Sequence, residues 1–345
     1  MLPFLQDNWS VTTMKVDVII PVYKPDKSFM KLIEKLESQT VPVNRIILMN
    51  TEEKYFHQLF YGTRFLKQYN NIDVYHLSKK EFNHGRTRRQ GVKKSTADVF
   101  VMMTQDAMPE NEFLLENLLK GLEGEKVAAA YARQLPNADS TPIEVYLREF
   151  NYPEKSEVKG QKDIETKGIK AFFCSDVCCA YKRSVYEELG GFVRHTIFNE
   201  DMIFAATAIK AGYEIAYAAE ARVVHSHNYT CMQQLRRNFD LGVSQADHPE
   251  IFEAVPSEGE GIKSVKATAM YLKNNGMIKW IPSLICQSGF KYIGYRLGKG
   301  YQKLPEKYIM KLTMNKQYWE QEDRRKAVEN IDATKGYGKS SEEEK

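Results

Sequence analysis

Short apolar runs alternate with helix-spaced segments from residue 15 to about residue 125, and this alternation limits the fold more tightly than any other feature of the chain. "KVDVIIPVYKP" (15–25), "NRIILMNT" (44–51), "IDVYHL" (72–77) and "ADVFVMMTQD" (97–106) are short apolar runs, the first of them β-branched and ended by Pro and Lys. Runs of that length and texture predict buried strands. Between them, Phe29, Met30, Leu32, Ile33 and Leu36 recur at helical spacing, and Tyr55, Leu59, Phe60, Phe65 and Leu66 predict a second helix over 55–69. "TRRQGVKKS" and "NEFLLENLLKGLE" predict two more. Strands that alternate with helices in this way imply an α/β fold, a mostly parallel sheet covered on both faces. Ligands on such sheets gather at the carboxyl ends of the strands.

After about residue 130 the pattern changes. "VAAAYARQLP" predicts a further strand, and the polar, Gly- and Lys-rich segment 153–168 predicts a loop long enough to lie over a site. "AFFCSDVCCAYKR" and "YEIAYAAEARVVHSH" read as strands, with helices around "SVYEELGGF" and "EDMIFAATAIKAG" between them. The expected division is an N-terminal extension (1–14), an α/β domain (15–245), a basic helical region (246–325) and a disordered tail (326–345).

Composition excludes several function classes. With 43% hydrophobic and 27% charged residues the chain is an ordinary globular one, and a net charge of +4 is too mild to argue for nucleic acid. Five cysteines without a C-x-x-C pair point to buried thiols in a reducing cytoplasm, with Cys178 and Cys179 on opposite faces of a strand. The first residues lack a basic segment followed by an apolar one, and no apolar stretch approaches the roughly 20 residues needed to span a bilayer.

Four polar clusters carry the chemistry. The apolar run 97–103 stops at Thr104-Gln105-Asp106, which puts Asp106 at the carboxyl end of a parallel strand. "FNHGRTRR" (82–89) sets Arg86 and Arg88 after a Gly turn at a helix start, an arrangement suited to a diphosphate. "FNEDMIF" (198–204) opens a helix with Glu200 and Asp201, and "VVHSHNY" (223–229) puts His225 and His227 on one face of a strand. Taken singly, each has a plainer explanation. The acids suit helix caps and first turns, the histidines a hydrogen-bonded surface, and the arginines a solvated face.

Their order together resembles the family 2 glycosyltransferases with a GT-A (Rossmann-like) fold, over about residues 15–245. The opening strand resembles the family's nucleotide-binding strand, "GRTRRQGVKKSTADVFVMMTQDAMP" its helix leading into the DXD strand, and "NED" its acidic pair. "FFCSDVCCAYKRSVYEELGGF" with "VVHSHNY" is similar to the rhamnosyltransferase branch. The resemblance implies an inverting glycosyltransferase. Pro21, Tyr23, Asn50 and Gln105 would line the nucleotide, and Arg86, Arg88 and Arg236 would contact phosphate. Asp176 would contact donor sugar or acceptor, and Asp106 with His227 or His225 would hold Mn²⁺ or Mg²⁺. Histidine ligation leans toward Mn²⁺. Asp201 would be the general base and Glu200 its orienting neighbour. Two departures stand out. Thr104 replaces the first Asp of DXD, and Asn50 occupies a position where many relatives carry Asp.

Between Ile262 and Leu312 ten Lys or Arg face a single acid, Glu306, and are interleaved with aromatic and aliphatic residues. Such a segment suits peripheral contact with an anionic bilayer. The expectation is therefore transfer of L-rhamnose from a dTDP donor to a lipid-linked glycan of bacterial surface polysaccharide, at the cytoplasmic face of the membrane, with a homodimer through the C-terminal helices. A UDP-sugar donor is the near alternative. A nucleotidyltransferase is the more distant one, and "PVYKPDKS" lacks the glycines a triphosphate loop uses. A catalytically inactive nucleotide-binding scaffold is the last.

Overall fold

The computed structural model describes residues 14–255 and 258–320. The expected extension, all but its last residue, and the expected disordered tail lie outside them. Four strand–helix units open the chain: β1 (Val16–Tyr23) with α1 (Lys27–Glu37), β2 (Arg45–Thr51) with α2 (Glu53–Phe60), β3 (Ile72–Leu77) with α3 (His84–Lys94), and β4 (Val99–Met103), followed by the short β5 (Met108–Pro109) and α4 (Leu114–Gly121). Next come β6 (Val127–Leu135), α5 (Pro142–Asn151), β7 (Glu157–Lys159), α6 (Ile164–Lys167), β8 (Cys178–Lys182), α7 (Arg183–Glu188), α8 (Glu200–Lys210) and β9 (Glu214–Val224). The remainder is helical: α9 (Cys231–Asp247), α10 (Pro249–Phe252), α11 (Glu258–Asn274), α12 (Ile281–Lys299), α13 (Glu306–Leu312) and α14 (Lys316–Glu320).

The nine strands among the described residues join one sheet, ordered β3-β2-β1-β4-β8-β6-β9-β5, with β7 also paired to β9. β3, β2, β1 and β4 are parallel, whereas β8 runs antiparallel to both β4 and β6. Strand order reverses around β1, with β2 on one side and β4 on the other, and this opens a crevice at their carboxyl ends. Neighbouring residues of one strand enter different cores. Val18 and Ile20 pack with Leu32 and Leu115, while Ile19 packs with Phe100, Tyr181 and Phe204. Burial on both faces explains why the strands read as continuous apolar runs. Cys178 and Cys179 divide between the two cores in the same way.

Two local expectations are corrected. The helix predicted over 55–69 stops at Phe60, because Gly62 adopts a left-handed φ of +71°, and Phe65–Gln68 forms a separate short turn. Segment 153–168 is not a covering loop. β7 adds to β9, and the buried Lys159 donates to the Phe173 carbonyl at 2.5 Å and the Tyr131 hydroxyl at 3.1 Å. A three-residue strand has too few positions to show a period, so only its pairing reveals it.

The C-terminal helices are bound to the α/β core. α9 spans the expected boundary at 245, and α12 crosses it so closely that a Cβ on Gly294 would lie 2.1 Å from the Leu235 carbonyl oxygen. Ile197, Phe239, Tyr301 and Tyr318 form a shared apolar cluster, and Asp240 accepts from the Thr313 hydroxyl at 2.6 Å. The outer surface remains apolar in places, with Met270, Ile278, Ile285 and Tyr292 each more than half exposed. No helix among the described residues is long and apolar enough to cross a membrane.

Candidate active site

Long-range pairing brings the first cluster together. Beyond β4 the chain turns through Thr104, whose N–H donates to the Val177 carbonyl, and re-enters the sheet as β5. Met108 pairs with Val224, so Asp106 stands beside the residues that follow β9. Asp106 Oδ2 lies 3.2 Å from His227 Nε2 and 3.6 Å from His225 Nε2, and one ligand atom from each residue fits within 4.8 Å of the others.

The surroundings orient one of these rings. Gln134 Oε1 accepts from the Arg148 guanidinium, a pure donor, which settles the direction of the amide. The same oxygen lies 3.0 Å from His225 Nδ1, so Nδ1 carries the proton and Nε2 turns its lone pair toward Asp106. A carboxylate oxygen and an imidazole lone pair facing each other at 3.6 Å call for a cation between them. Burial acts to raise the Asp106 pKa, but the polar side chains around it, His227 and Thr104 among them, outweigh it and hold the carboxyl well below its usual range. Burial also pushes His225 down, toward the neutral form a metal requires. Two nitrogens and one carboxylate therefore fit a divalent cation with positions left open for phosphate oxygens.

Gln105 clasps the strand end across the crevice. Its carboxamide donates to the Tyr23 carbonyl and accepts from the Tyr23 N–H, both at 2.8 Å. This pairing ties the carboxyl ends of β1 and β4 together and gives Gln105 a bracing task. The Tyr23 ring is exposed and meets Tyr55 edge-on at 5.8 Å, an aromatic pair open to a base. Pro21 lies within β1, half-buried, opposite Met49. Asn50 is fully buried, with its amide 2.8 Å from His76 Nδ1. The nucleotide contact expected of it is not one this geometry offers.

The second cluster is acidic and closed around one guanidinium. Arg88 Nε lies 3.0 Å from Asp176 Oδ2 and its Nη1 2.9 Å from Glu200 Oε1, with all three side chains buried. Arg88 is therefore the countercation of this cluster, not the phosphate contact expected of it. The α3 start faces inward here because Gly85 comes so close to the Val193 carbonyl that a Cβ there would overlap it. Asp201 Oδ2 accepts the Asp176 N–H at 3.0 Å and its Oδ1 the Met202 N–H at 2.7 Å. Burial first, and the Glu200 charge second, push Asp201 up to about 6. Burial would raise Glu200 as well, but Arg88 and His84 hold it at about 2. Asp176 is pushed up by burial and by its two acidic neighbours, despite Arg88. The pair thus separates into a permanently charged Glu200 and a half-buried Asp201 able to exchange a proton.

Replacing Arg88 with methionine is expected to cost about 3 kcal/mol of stability at neutral pH, because two buried carboxylates lose their counter-charge. Urea denaturation measures this directly, and an unchanged midpoint would contradict the assignment.

The other arginines divide. Arg86 folds back to donate to the Glu81 carbonyl at 2.7 Å, and Arg236 projects from the exposed side of α9. Its neighbour Arg237 lies over the Phe198 ring at 4.7 Å and near Tyr229 at 5.7 Å, between the two clusters. Sequence reasoning missed Arg237 and Arg148. Adjacent residues on a helix point roughly 100° apart, so "RR" does not say which arginine lies against Phe198 and Tyr229. Glu144 and Arg148 read as an ordinary surface pair, although Arg148 reaches Gln134.

Comparison with known proteins bears on this arrangement. Residues 17–190 match the model of glycosyl transferase family 2. The chain is 39% identical over 308 residues to RfbN, an O-antigen chain rhamnosyltransferase of Salmonella typhimurium, covering 89% of this chain and 96% of the relative. It is 44% identical over 252 residues to WbaN, an O-antigen chain rhamnosyltransferase of Salmonella anatum, covering 72% and 79%. Among solved structures, the mannosyltransferase PcManGT of Pyrobaculum calidifontis, in complex with GDP-Man and Mn²⁺, superposes with a TM-score of 0.52 at 15% identity, covering 94% of this chain and 88% of that one. That likeness extends to the fold, a GT-A sheet with flanking helices. Neither a nucleotidyltransferase nor an inactive scaffold accounts for such relatives. The chain is a glycosyltransferase that belongs to family 2 and resembles the rhamnosyltransferases of O-antigen synthesis.

Proposed function

We propose that this protein transfers L-rhamnose from dTDP-L-rhamnose, with inversion, to a lipid-linked glycan acceptor. The observation that carries the reading is the convergence of Asp106, His225 and His227 at the crevice beside β1, close to the open Tyr23–Tyr55 pair. The two relatives named as rhamnosyltransferases supply the sugar.

A divalent cation held by Asp106, His225 and His227 would act as a Lewis acid toward the leaving diphosphate. Tyr23 and Tyr55 receive the base, with Gln105 bracing the strand end below them. Asp201 accepts the proton of the acceptor hydroxyl as that oxygen attacks the anomeric carbon from the face opposite the diphosphate. Glu200 stays charged and, with Arg88 and the Asp176 N–H, keeps the Asp201 carboxylate in place. A single displacement converts a β-L-rhamnosyl donor into an α-L-rhamnoside and needs no covalent nucleophile.

The test is turnover of dTDP-L-rhamnose in parallel with UDP-sugars, with Mn²⁺, with Mg²⁺ and with EDTA. Metal-dependent release of dTDP from dTDP-L-rhamnose alone is the expected result. Selective use of a UDP-sugar would overturn the donor assignment while leaving the family intact.

Acceptor delivery belongs to the C-terminal helices. Met270, Ile278, Ile285 and Tyr292 are exposed beside lysines such as Lys266, Lys273 and Lys279, a surface suited to an anionic bilayer. Flotation with phosphatidylglycerol vesicles should capture the protein at low salt and release it at high salt. Equal capture by neutral vesicles would count against an electrostatic surface.

A further inference from the structure

α12 carries a cation on a face that should be apolar. Leu284 packs with Ile143 of α5, and Gly294 and Gly298 lie against the backbone of α9 at Leu235 and Phe239. Lys291 is seven residues from Leu284 and Gly298 and three from Gly294, so it shares their inward face. It lies within the field of Arg148 on α5, Arg237 on α9 and the carboxylate of Glu144. Burial, with the two arginines adding to it, lowers the Lys291 pKa, and Glu144 opposes this in part. Glu144 is already engaged at 2.7 Å by Arg148. Lys291 thus enters the seam between α5 and α9 beside the Glu144–Arg148 pair, with the exposed Arg237 at its edge.

The seam adjoins both functional clusters. Arg148 donates to Gln134, which orients His225. Arg237 lies over Phe198, just before Glu200 and Asp201, and beside Tyr229, whose ring is 5.1 Å from that of His227. Like charges gathered beside a reaction centre are costly unless an anion joins them.

We infer that Arg148, Arg237 and Lys291 form a binding site for a diphosphate, separate from the Asp106–His225–His227 metal site and contributed in part by the C-terminal helices. The assignment rests on the glycosyltransferase reading above for its place in the reaction. Two sources share the required chemistry: the diphosphate of the nucleotide donor, and a diphosphate joining an acceptor glycan to its lipid. Two guanidinium forks and an ammonium suit phosphate oxygens of either. The outer face of α12, with Ile285 and Tyr292 exposed, is the side a lipid-borne acceptor would approach.

The experiment is calorimetric titration of the full chain with inorganic pyrophosphate in EDTA, so that no metal contributes. Wild type should bind, and Lys291→Met and Arg237→Met should each weaken binding by about tenfold or more, the loss expected for one charged hydrogen-bonding partner. Lys291→Arg, which keeps charge and reach, should retain most of the affinity and controls for misfolding. Absence of binding by wild type, or equal binding by wild type and Lys291→Met, would overturn the site.

Competition identifies the source. Displacement of pyrophosphate by dTDP, lost in Lys291→Met, assigns the site to the donor. Displacement by farnesyl diphosphate but not by dTDP assigns it to a lipid-linked acceptor. If the protein turns over no dTDP-L-rhamnose yet binds pyrophosphate through Lys291, the donor assignment fails and the anion site stands.

Discussion

Replacing Asp201 with asparagine is expected to lower transfer by about 10²- to 10⁴-fold while leaving nucleotide affinity unchanged. The size follows from the role. Asparagine is close to isosteric and can still accept one of the two backbone N–H bonds from Asp176 and Met202, so the α8 start keeps its shape. It cannot accept a proton from the acceptor hydroxyl. The pH dependence makes the test sharper. With Asp201 at about 6, kcat/KM of the wild type should rise through that pH and level off above it, because only the carboxylate is a base. The residual activity of Asp201→Asn should lack this limb. The same raised pKa acts oppositely on stability. The folded state holds the Asp201 proton more tightly than the unfolded chain, so this group's contribution is complete below about pH 4 and is lost as pH rises through about 6. An active Asp201→Asn enzyme, or a pH limb that persists in it, would refute the assignment.

The second large effect is expected for Asp106→Ala: loss of metal-dependent nucleotide binding together with transfer. Among the described residues, Asp106 Oδ2 is the one carboxylate oxygen that faces both His225 and His227. Without it two imidazoles remain, a poor site for a hard cation that favours oxygen. Titration with dTDP in the presence of Mn²⁺ measures this. Wild type should bind more tightly than in EDTA, and the variant should bind with the EDTA affinity in both conditions. Metal-enhanced binding that survives in Asp106→Ala would move the cation elsewhere. The two variants separate the two clusters, since one loses proton transfer and the other loses hold of the diphosphate.

Several features were legible in the chain because they depend on local pattern. The buried strands β1, β2 and β4, the helices between them and the opposed faces of Cys178 and Cys179 follow from hydrophobic period alone. A period says which face is buried but not by what. Arg88 illustrates the limit. A basic residue near a helix start reads as an anion site, yet Asp176 and Glu200, far along the chain, fold back onto it. Asn50 likewise sits at a strand end where ligands are expected, but the β2–β3 register turns its amide to His76.

What the sequence determined by itself is the alternation of strand and helix, and with it a mostly parallel sheet whose strand ends carry the acids. The cause is local, since each segment's period is set by the side chains within it. Only the tertiary structure decided which groups meet. Asp106 reaches His225 and His227 because Met108 pairs with Val224, and β7 exists because β9 offers an edge. The place of Lys291 is set by two glycines that let α12 settle onto α9. Such pairings join residues remote in sequence, and their register depends on shape and charge supplied by both partners at once.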